Sequence, residues 1–178
     1  MVLEFTVRAI QNIPSVEPGT DLSQLIVDGL SSTGMVVQQD DILVVAQKIV
    51  SKSEGRIVAL SEVTPSPFAF HIAHTYGGDP QHIEVVLQES SRIVRMDRGI
   101  FITETHHGFI CANAGVDSSN SIAPGSVCLL PVDPDASARN LQSGIGEITG
   151  HRVGVIVTDT FNRPWRLGTT NVAIGTAG

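Results

Sequence analysis

Apolar positions in this chain fall into short runs separated by polar segments that contain glycine or proline. Residues 3–10 alternate between apolar and polar side chains, which predicts a half-buried strand. Residues 12–20 contain two prolines and one glycine and predict a loop. Residues 41–46 place five apolar side chains after an aspartate and predict a short buried strand. Further strands are predicted over residues 56–60, 98–103, 107–112, 127–132 and 153–158.

Four segments carry the signals of a helix start. Asp21 can cap a helix that runs to about Ser32, because apolar residues recur on one face of this segment. The other three starts share a capping residue followed by proline at the first helical position. These three pairs are Ser66-Pro67, Asp79-Pro80 and Asp133-Pro134. The helix after Asp79 is predicted to bury Ile83, Val86, Leu87 and Ile93.

The order of these elements predicts an α+β fold, a mixed α/β arrangement with a mixed sheet and packed helices. Strands and helices are interspersed without the regular alternation of βαβ units. No internal repeat or linker divides the chain, so residues 1–178 are interpreted as a single domain. The sequence stops within an apolar stretch that has no helix stop or polar tail. We therefore expect the domain to be incomplete at its C-terminal end.

Composition and charge narrow the classes of function. The chain has 178 residues, 42% of them hydrophobic, and a formal net charge of −7. It contains no long basic run, which argues against binding to nucleic acid or to an anionic membrane. No apolar run approaches the length of a membrane span, and the first residues lack the pattern of a signal peptide. A cytoplasmic enzyme is the predicted class.

Cysteine, histidine and arginine give weaker signals. Cys111 and Cys128 lie in apolar surroundings and are interpreted as buried free thiols. The histidine pairs at 71 and 74 and at 106 and 107 lack a third partner at a spacing typical of zinc ligands. Three arginines spaced by three residues are interpreted as surface charges near a helix end: Arg92, Arg95 and Arg98.

Two polar clusters carry the candidate chemistry, over residues 107–120 and 158–166. Asp117 and Asp159 each follow a predicted strand, and carboxylates are the oxygen ligands that Mg²⁺ or Mn²⁺ prefers in proteins. Thr160 and Asn120 can add oxygen ligands or contact phosphate, as can Ser118 and Ser119. The alternative is that both aspartates form turns with their own backbone.

Several cationic side chains are candidate ligands for phosphate. Lys48 and Lys52 are four residues apart and share one face if this segment is helical. An anion between them would offset their repulsion, whereas the alternative is a solvated basic edge. Arg163 and Arg166 flank the single tryptophan and could bind phosphate or carboxylate, although such a segment is more often a structured loop. The sequence lacks the P-loop, the dinucleotide-binding glycine motif and the serine-hydrolase elbow.

Taken together and in order, these motifs resemble the coenzyme F420-0:L-glutamate ligase family, whose members add γ-linked glutamate to a deazaflavin cofactor with GTP. The resemblance extends over nearly the whole chain. It rests on Ile13-Pro14-Ser15-Val16 with Gly19 and Asp21, on residues 41–52, on residues 111–120, on residues 130–135, and on residues 158–170.

The resemblance implies a role for each matching residue. GTP would be bound by Ile13, Pro14, Ser15, Val16, Gln47, Lys48, Lys52 and Asn120. A divalent metal, Mg²⁺ or Mn²⁺, would be held by Asp117, Asp159 and Thr160, and the two aspartates would be catalytic. The implied reaction joins L-glutamate to the terminal carboxylate of F420-0 through an acyl phosphate. The implied fold is a mixed α and β architecture that pairs into an intertwined homodimer.

The chain departs from the family pattern at three points. Asn162 stands where the family usually has glycine, and Asn171 stands where aspartate is common. Family members also continue well past residue 178, and their later segment adds nucleotide and metal contacts. Two alternatives therefore remain open: a related ligase that joins another amino acid to another carboxylated cofactor, and a catalytically incomplete remnant that binds a nucleotide or cofactor.

Overall fold

A computed structural model describes residues 4–119, 124–162 and 168–178 of the chain. Its elements confirm the predicted α+β class. The helices are α1 (Leu22–Ser32), α2 (Gln47–Ser53), α3 (Pro67–Tyr76), α4 (Pro80–Gln88) and α5 (Pro134–Thr149). The strands are β1 (Ile42–Ala46), β2 (Ile57–Ala59), β3 (Ser90–Asp97), β4 (Ile100–Thr105), β5 (Ile110–Ala112), β6 (Ser126–Cys128), β7 (Gly154–Asn162) and β8 (Thr169–Ala177).

The four predicted helix starts are confirmed. The Asp21 carboxylate accepts hydrogen bonds from the backbone N–H groups of Ser23 and Gln24 at the start of α1. Ser66, Asp79 and Asp133 cap α3, α4 and α5 in the same way, and each is followed by proline. These caps satisfy backbone donors that the first helical turn leaves without partners. The polar sequence signals therefore fix where these helices begin.

Strands form three sheets in the described part of the chain. A mixed sheet has the order β1-β7-β8, with β1 parallel and β8 antiparallel to β7. An antiparallel sheet has the order β3-β4-β5, and β2 pairs antiparallel with β6. The mixed sheet matters most for the site, because Ala46 at the end of β1 pairs with Thr158 of β7. The residues that follow Ala46 and those that follow Thr158 therefore lie at the same end of this strand pair.

Two hydrophobic clusters lie behind this arrangement. One joins α1, α2 and α5 to the mixed sheet, with buried side chains that include Ile26, Val50, Ile145 and Val157. The other joins α3 and α4 to β4 and β6, with Ile72, Val86, Phe101 and Val127 among its buried side chains. Cys111 and Cys128 are both buried free thiols, as predicted.

Residues 4–10 do not form the predicted strand. They have no regular secondary structure, and Phe5 and Val7 are 89% and 85% exposed. An alternating pattern produces a strand only where another strand supplies backbone hydrogen bonds. None of the strand pairs in the described ranges includes residues 4–10.

The segment after α4 also differs from the prediction. Ile93 does not lie on α4, which ends at Gln88, but on β3. Arg92 and Arg95 lie on the same strand, where they pair with Glu104 at 2.6 Å and Asp97 at 3.4 Å. Arg98 and Gly99 have positive φ angles of 49° and 79° and connect β3 to β4. That turn geometry favours a tight hairpin, so pairing with β4 outweighs the helical spacing of the arginines.

Among the described residues, no helix is both long and apolar enough to cross a membrane.

Candidate functional site

The structure brings the two predicted polar clusters together. Asp159 follows Thr158 on β7, and Asp117 forms an isolated antiparallel bridge with Cys128 at the end of β6. The two carboxylates are close enough to interact, because the negative charge of Asp117 contributes to a raised pKa of Asp159. Two segments separated by some forty residues in sequence therefore contribute acidic groups to one site.

Burial is the main reason that the pKa of Asp159 is raised. Desolvation disfavours its charged form, and the charge of Asp117 adds to this effect. The backbone N–H of Thr160 donates to Asp159 Oδ1 at 2.8 Å and acts in the opposite direction. Asp117 Oδ1 accepts from the backbone N–H and the hydroxyl of Ser119, at 2.8 and 2.6 Å. Asp117 thus forms the local turn contact considered in the sequence, whereas Asp159 lies within β7 and accepts from the next residue of that strand.

A turn of unusual backbone geometry leads into Asp117. Asn113, Ala114 and Gly115 have positive φ angles of 50°, 53° and 71°. The left-handed conformation costs about 1 kcal/mol or more at a residue with a side chain. Gly115 lies against the Leu130 side chain, where an added Cβ would come within 3.0 Å of it. Such backbone strain is concentrated at functional sites, and this turn sets the direction from which Asp117 enters the site.

The cationic residues lie on α2, directly after β1. Lys48 is exposed and Lys52 is half-buried, and their spacing places them on one face of the helix. Lys52 lies close to the Asp117 segment. Burial raises the pKa of the Cys128 thiol, Asp117 raises it further, and Lys52 opposes both effects. The conditional prediction that residues 48 and 52 share a helix face is confirmed.

Gln47 differs from its two lysine neighbours because its side chain points into the protein. Gln47 is only 4% exposed. Nε2 donates to Ser51 Oγ at 2.6 Å and to the Leu129 carbonyl at 2.9 Å. Neither Ser51 nor Leu129 was identified from the sequence, since a lone serine and a backbone carbonyl carry no pattern.

Residues 13–16 lie beside α1 and α2. Val16 is buried in the core with Val50 of α2, and Ile13 packs against Gly29 of α1. Pro14 and Ser15 are exposed. The loop is joined to the end of α2 by a backbone hydrogen bond of 2.8 Å from Gly19 N–H to the Ser53 carbonyl. A ligand contact of these four residues stays a prediction.

Aromatic side chains pack against the end of β7 that carries Asp159. The ring centroid of Phe109 lies 5.6 Å from that of Phe161, which follows Thr160 on β7. His107 stacks on Phe109 at 6.1 Å, and its Nε2 lies 2.8 Å from the Pro131 carbonyl. These contacts fasten the β4–β5 hairpin to the strand that carries Asp159. Single aromatic residues in apolar runs gave no sequence signal of this role.

A groove of about 900 Å³ lies away from the acidic pair. It runs between residues 5–10 and β1, and Ile13 and Ala46 are among its lining residues. Asp117 and Asp159 do not line it. We place the candidate chemistry at the acidic pair rather than in the groove. The pKa of Asp159 is raised there, and α2, which carries Lys48 and Lys52, packs against the strand that holds Asp159.

The donor set fits a hard divalent cation that keeps part of its shell for water and phosphate. Asp117 and Asp159 supply two carboxylates whose mutual repulsion a cation would offset. The Thr160 hydroxyl donates to Asn171 Oδ1 at 2.7 Å, and a metal contact of Thr160 stays a prediction. Within the described ranges, no three acidic, histidine or cysteine side chains are grouped as a metal site. Asn120 and the arginines at 163 and 166 lie outside the described residues, so their predicted contacts stay predictions.

The raised pKa of Asp159 predicts a pH-dependent effect on the metal-free protein. A folded-state pKa above the unfolded value means that the stability contributed by protonation is present below the ordinary aspartate pKa, about 3.9, and is lost as pH rises through the raised value. We expect Asp159→Asn to gain stability over the wild type across that window. Urea unfolding with a chelator from about pH 4 to pH 7 measures it. A difference between the two proteins that stays constant with pH would contradict the shift.

Known proteins of similar sequence share one name. The chain is 44% identical over 169 residues to coenzyme F420:L-glutamate ligase of Methanothermobacter thermautotrophicus, which covers 95% of this chain and 67% of that protein. It is 47% identical over 163 residues to coenzyme F420:L-glutamate ligase of Methanopyrus kandleri, covering 92% and 62%. The enzyme of that name from Archaeoglobus fulgidus is 40% identical over 169 residues, covering 95% and 65%.

The chain thus spans about two thirds of the length of these curated relatives. The match to the family described as F420-0:Gamma-glutamyl ligase extends over residues 11–178. With a match of that extent, the chain belongs to the F420-0:gamma-glutamyl ligase family.

Proposed function

We propose that this chain carries the nucleotide and metal site of a GTP-dependent ligase, which joins L-glutamate to the terminal carboxylate of coenzyme F420-0. The choice of glutamate and of the cofactor as substrates is based on the names of the relatives. The phosphate part is supported by the electrostatic interaction of Asp117 with Asp159 and by the packing of α2, which carries Lys48 and Lys52, against β7.

The proposed reaction proceeds in two steps. An oxygen of the F420-0 carboxylate attacks the γ-phosphorus of GTP, the bond to the β–γ bridging oxygen breaks, and GDP leaves. The amine of glutamate then attacks the acyl carbon, inorganic phosphate leaves, and an amide forms with loss of a proton to solvent. Both steps move charge without requiring a protein nucleophile, so positioning and electrostatics are the tasks left to the protein.

The residues of the site have distinct roles in this scheme. Lys48 and Lys52 bind the phosphates as point charges from one face of α2. Asp117, Asp159 and Thr160 hold a divalent cation, Mg²⁺ or Mn²⁺, through oxygen atoms. When bound, that cation would neutralise negative charge on the phosphate oxygens. The loop over residues 13–16 completes the nucleotide side of the site, and Gln47 ties α2 to the Leu129 carbonyl behind it.

Calorimetric titration with GDP tests the proposal. We expect binding by the 178-residue chain in the presence of Mn²⁺ and markedly weaker binding with a chelator. Asp117→Asn should remove the metal-dependent part, whereas Asp97→Asn, on an exposed carboxylate of β3, should not. Lack of binding with Mn²⁺, or equal binding by Asp117→Asn, would contradict the assignment.

Turnover assays separate the ligase from its two alternatives. Incorporation of glutamate into F420-0 with release of phosphate supports the proposed reaction. Preference for another amino acid or another carboxylated acceptor would indicate a related ligase, and nucleotide binding without turnover would indicate a remnant. The proposed homodimer is tested separately by light scattering coupled to size-exclusion chromatography.

A further inference from the structure

Gln47 and Ser51 form a buried polar pair on α2. They are one helical turn apart and 4% and 0% exposed. The Gln47 amide nitrogen has two hydrogens, and both are used inside the protein, on Ser51 Oγ at 2.6 Å and the Leu129 carbonyl at 2.9 Å. Burying an amide and a hydroxyl is costly unless both are hydrogen-bonded, and an apolar side chain of similar size would fill the space without that requirement.

Cys128, the residue before the Leu129 carbonyl that Gln47 contacts, is hydrogen-bonded to Asp117. The Asp117 N–H donates to the Cys128 carbonyl at 2.9 Å, and the Cys128 N–H donates to the Asp117 carbonyl at 2.8 Å. Cys128 directly precedes Leu129, the acceptor of the Gln47 amide. The helix with the lysines and the segment with the acidic residue are therefore fastened to adjacent residues, Leu129 directly after β6 and Cys128 at its end.

Lys52 is the charged residue that this attachment would place. It directly follows Ser51 in sequence and is half-buried. The Leu129 N–H also donates to the Arg56 carbonyl at 2.9 Å, so the chain just after α2 meets the same segment. A small rotation of α2 would change the separation of Lys52 from Asp117, and the bond from Gln47 to the Leu129 carbonyl is one side-chain contact that opposes this rotation.

We propose that the buried Gln47–Ser51 pair is a positioning device, which fixes Lys52 relative to Asp117 by tying α2 to the Leu129 carbonyl. The Gln47 side chain then acts on the nucleotide through Lys52 and does not touch it. This inference rests on the proposed nucleotide site and assigns a task to Ser51 and Leu129, which otherwise have none there. It predicts that the contribution of Gln47 to binding depends on the presence of Lys52.

A double-mutant cycle tests this dependence. GDP affinity with Mn²⁺ is measured by calorimetry for the wild type, Gln47→Met, Lys52→Ala and the double variant. Methionine keeps the length of the side chain and removes both donors. We expect Gln47→Met to weaken GDP binding about tenfold when Lys52 is present and less than about twofold in the Lys52→Ala background. A purely structural role would give the same factor in both backgrounds and would overturn the proposal.

Gln142→Met is the matched control. Its Nε2 donates to the Val153 carbonyl at 2.7 Å, so the same substitution removes an amide donor to a backbone carbonyl just before β7, far along that strand from Asp159. GDP affinity should be unchanged in this variant. If Gln47→Met does not fold, Ser51→Ala replaces it in the same cycle, and additivity there would also overturn the proposal. Failure of the wild type to bind GDP would instead overturn the proposed function, and this inference with it.

Discussion

Replacing Asp159 with asparagine is expected to lower the rate of glutamate ligation at least about a thousandfold while the protein remains folded. The reason is that Asp159 is a half-buried carboxylate that interacts with Asp117, and we propose that the two hold a cation at the phosphates. Loss of a charge-stabilising group has effects of about this size in phosphoryl transfer. Asparagine preserves the shape of the side chain and its bond from the Thr160 N–H, so the loss would report the charge.

Phosphate release in the presence of F420-0, GTP, glutamate and Mn²⁺ measures this prediction. Asp41→Asn is the matched control, because Asp41 lies beside the opposite end of the same pair of strands, where Ile42 pairs with Gly154. That variant should keep its rate within about twofold, as surface substitutions usually do. Full turnover by Asp159→Asn would rule out the metal assignment.

Gly175→Ala is expected to destabilise the fold by about 3 kcal/mol, the largest stability effect that we predict. Gly175 lies on β8, and an added Cβ would overlap the carbonyl carbon and oxygen of Pro134 at the start of α5. The obstacle is backbone rather than a flexible side chain, so the strand and the helix would have to separate. The same helix start carries Asp135, whose carboxylate accepts from Thr176 N–H at 2.7 Å and would be displaced too.

Thermal and urea unfolding measure this change, at about 2–4 °C of melting temperature for each kcal/mol. Gly146→Ala is the control, because Gly146 lies within α5 and an added Cβ there would meet no atom closer than 3.6 Å. That variant should be more stable by up to about 1 kcal/mol, as expected when alanine replaces glycine inside a helix. Equal stability of the two alanine variants would contradict the close packing of β8 on α5.

The starts of α1, α3, α4 and α5 were predictable from the sequence, and so were most strands. A capping side chain and a following proline act on their own first turn, so Asp133-Pro134 marks the start of α5 wherever that helix packs. The buried run ending at Ala46 likewise predicts β1. The alternating pattern in residues 4–10 failed because it depends on a partner strand, which a local pattern cannot supply.

The helix after Asp79 shows where local spacing misleads. Residues 92, 95 and 98 recur at an interval that suits a helix, yet the turn at Arg98 and Gly99 folds the segment back as β3 and β4. The distinction between a helix and a hairpin was settled by pairing over residues 90–105, which adds interstrand hydrogen bonds and cross-strand contacts such as Arg92 with Glu104.

By itself, the sequence determined the family, the chemistry of the candidate residues and the local elements that carry them, because residue type and short-range spacing are properties of the chain. Only the tertiary structure decided that Asp117 lies beside Asp159, and that Gln47 points inward while Lys52 lies near the Asp117 segment. Those relations depend on the parallel pairing of β1 with β7 and on the bridge at Cys128, which join residues far apart in sequence. Long-range contacts of this kind leave no periodic signal in the chain, since each requires only that a backbone group or a single side chain be in place.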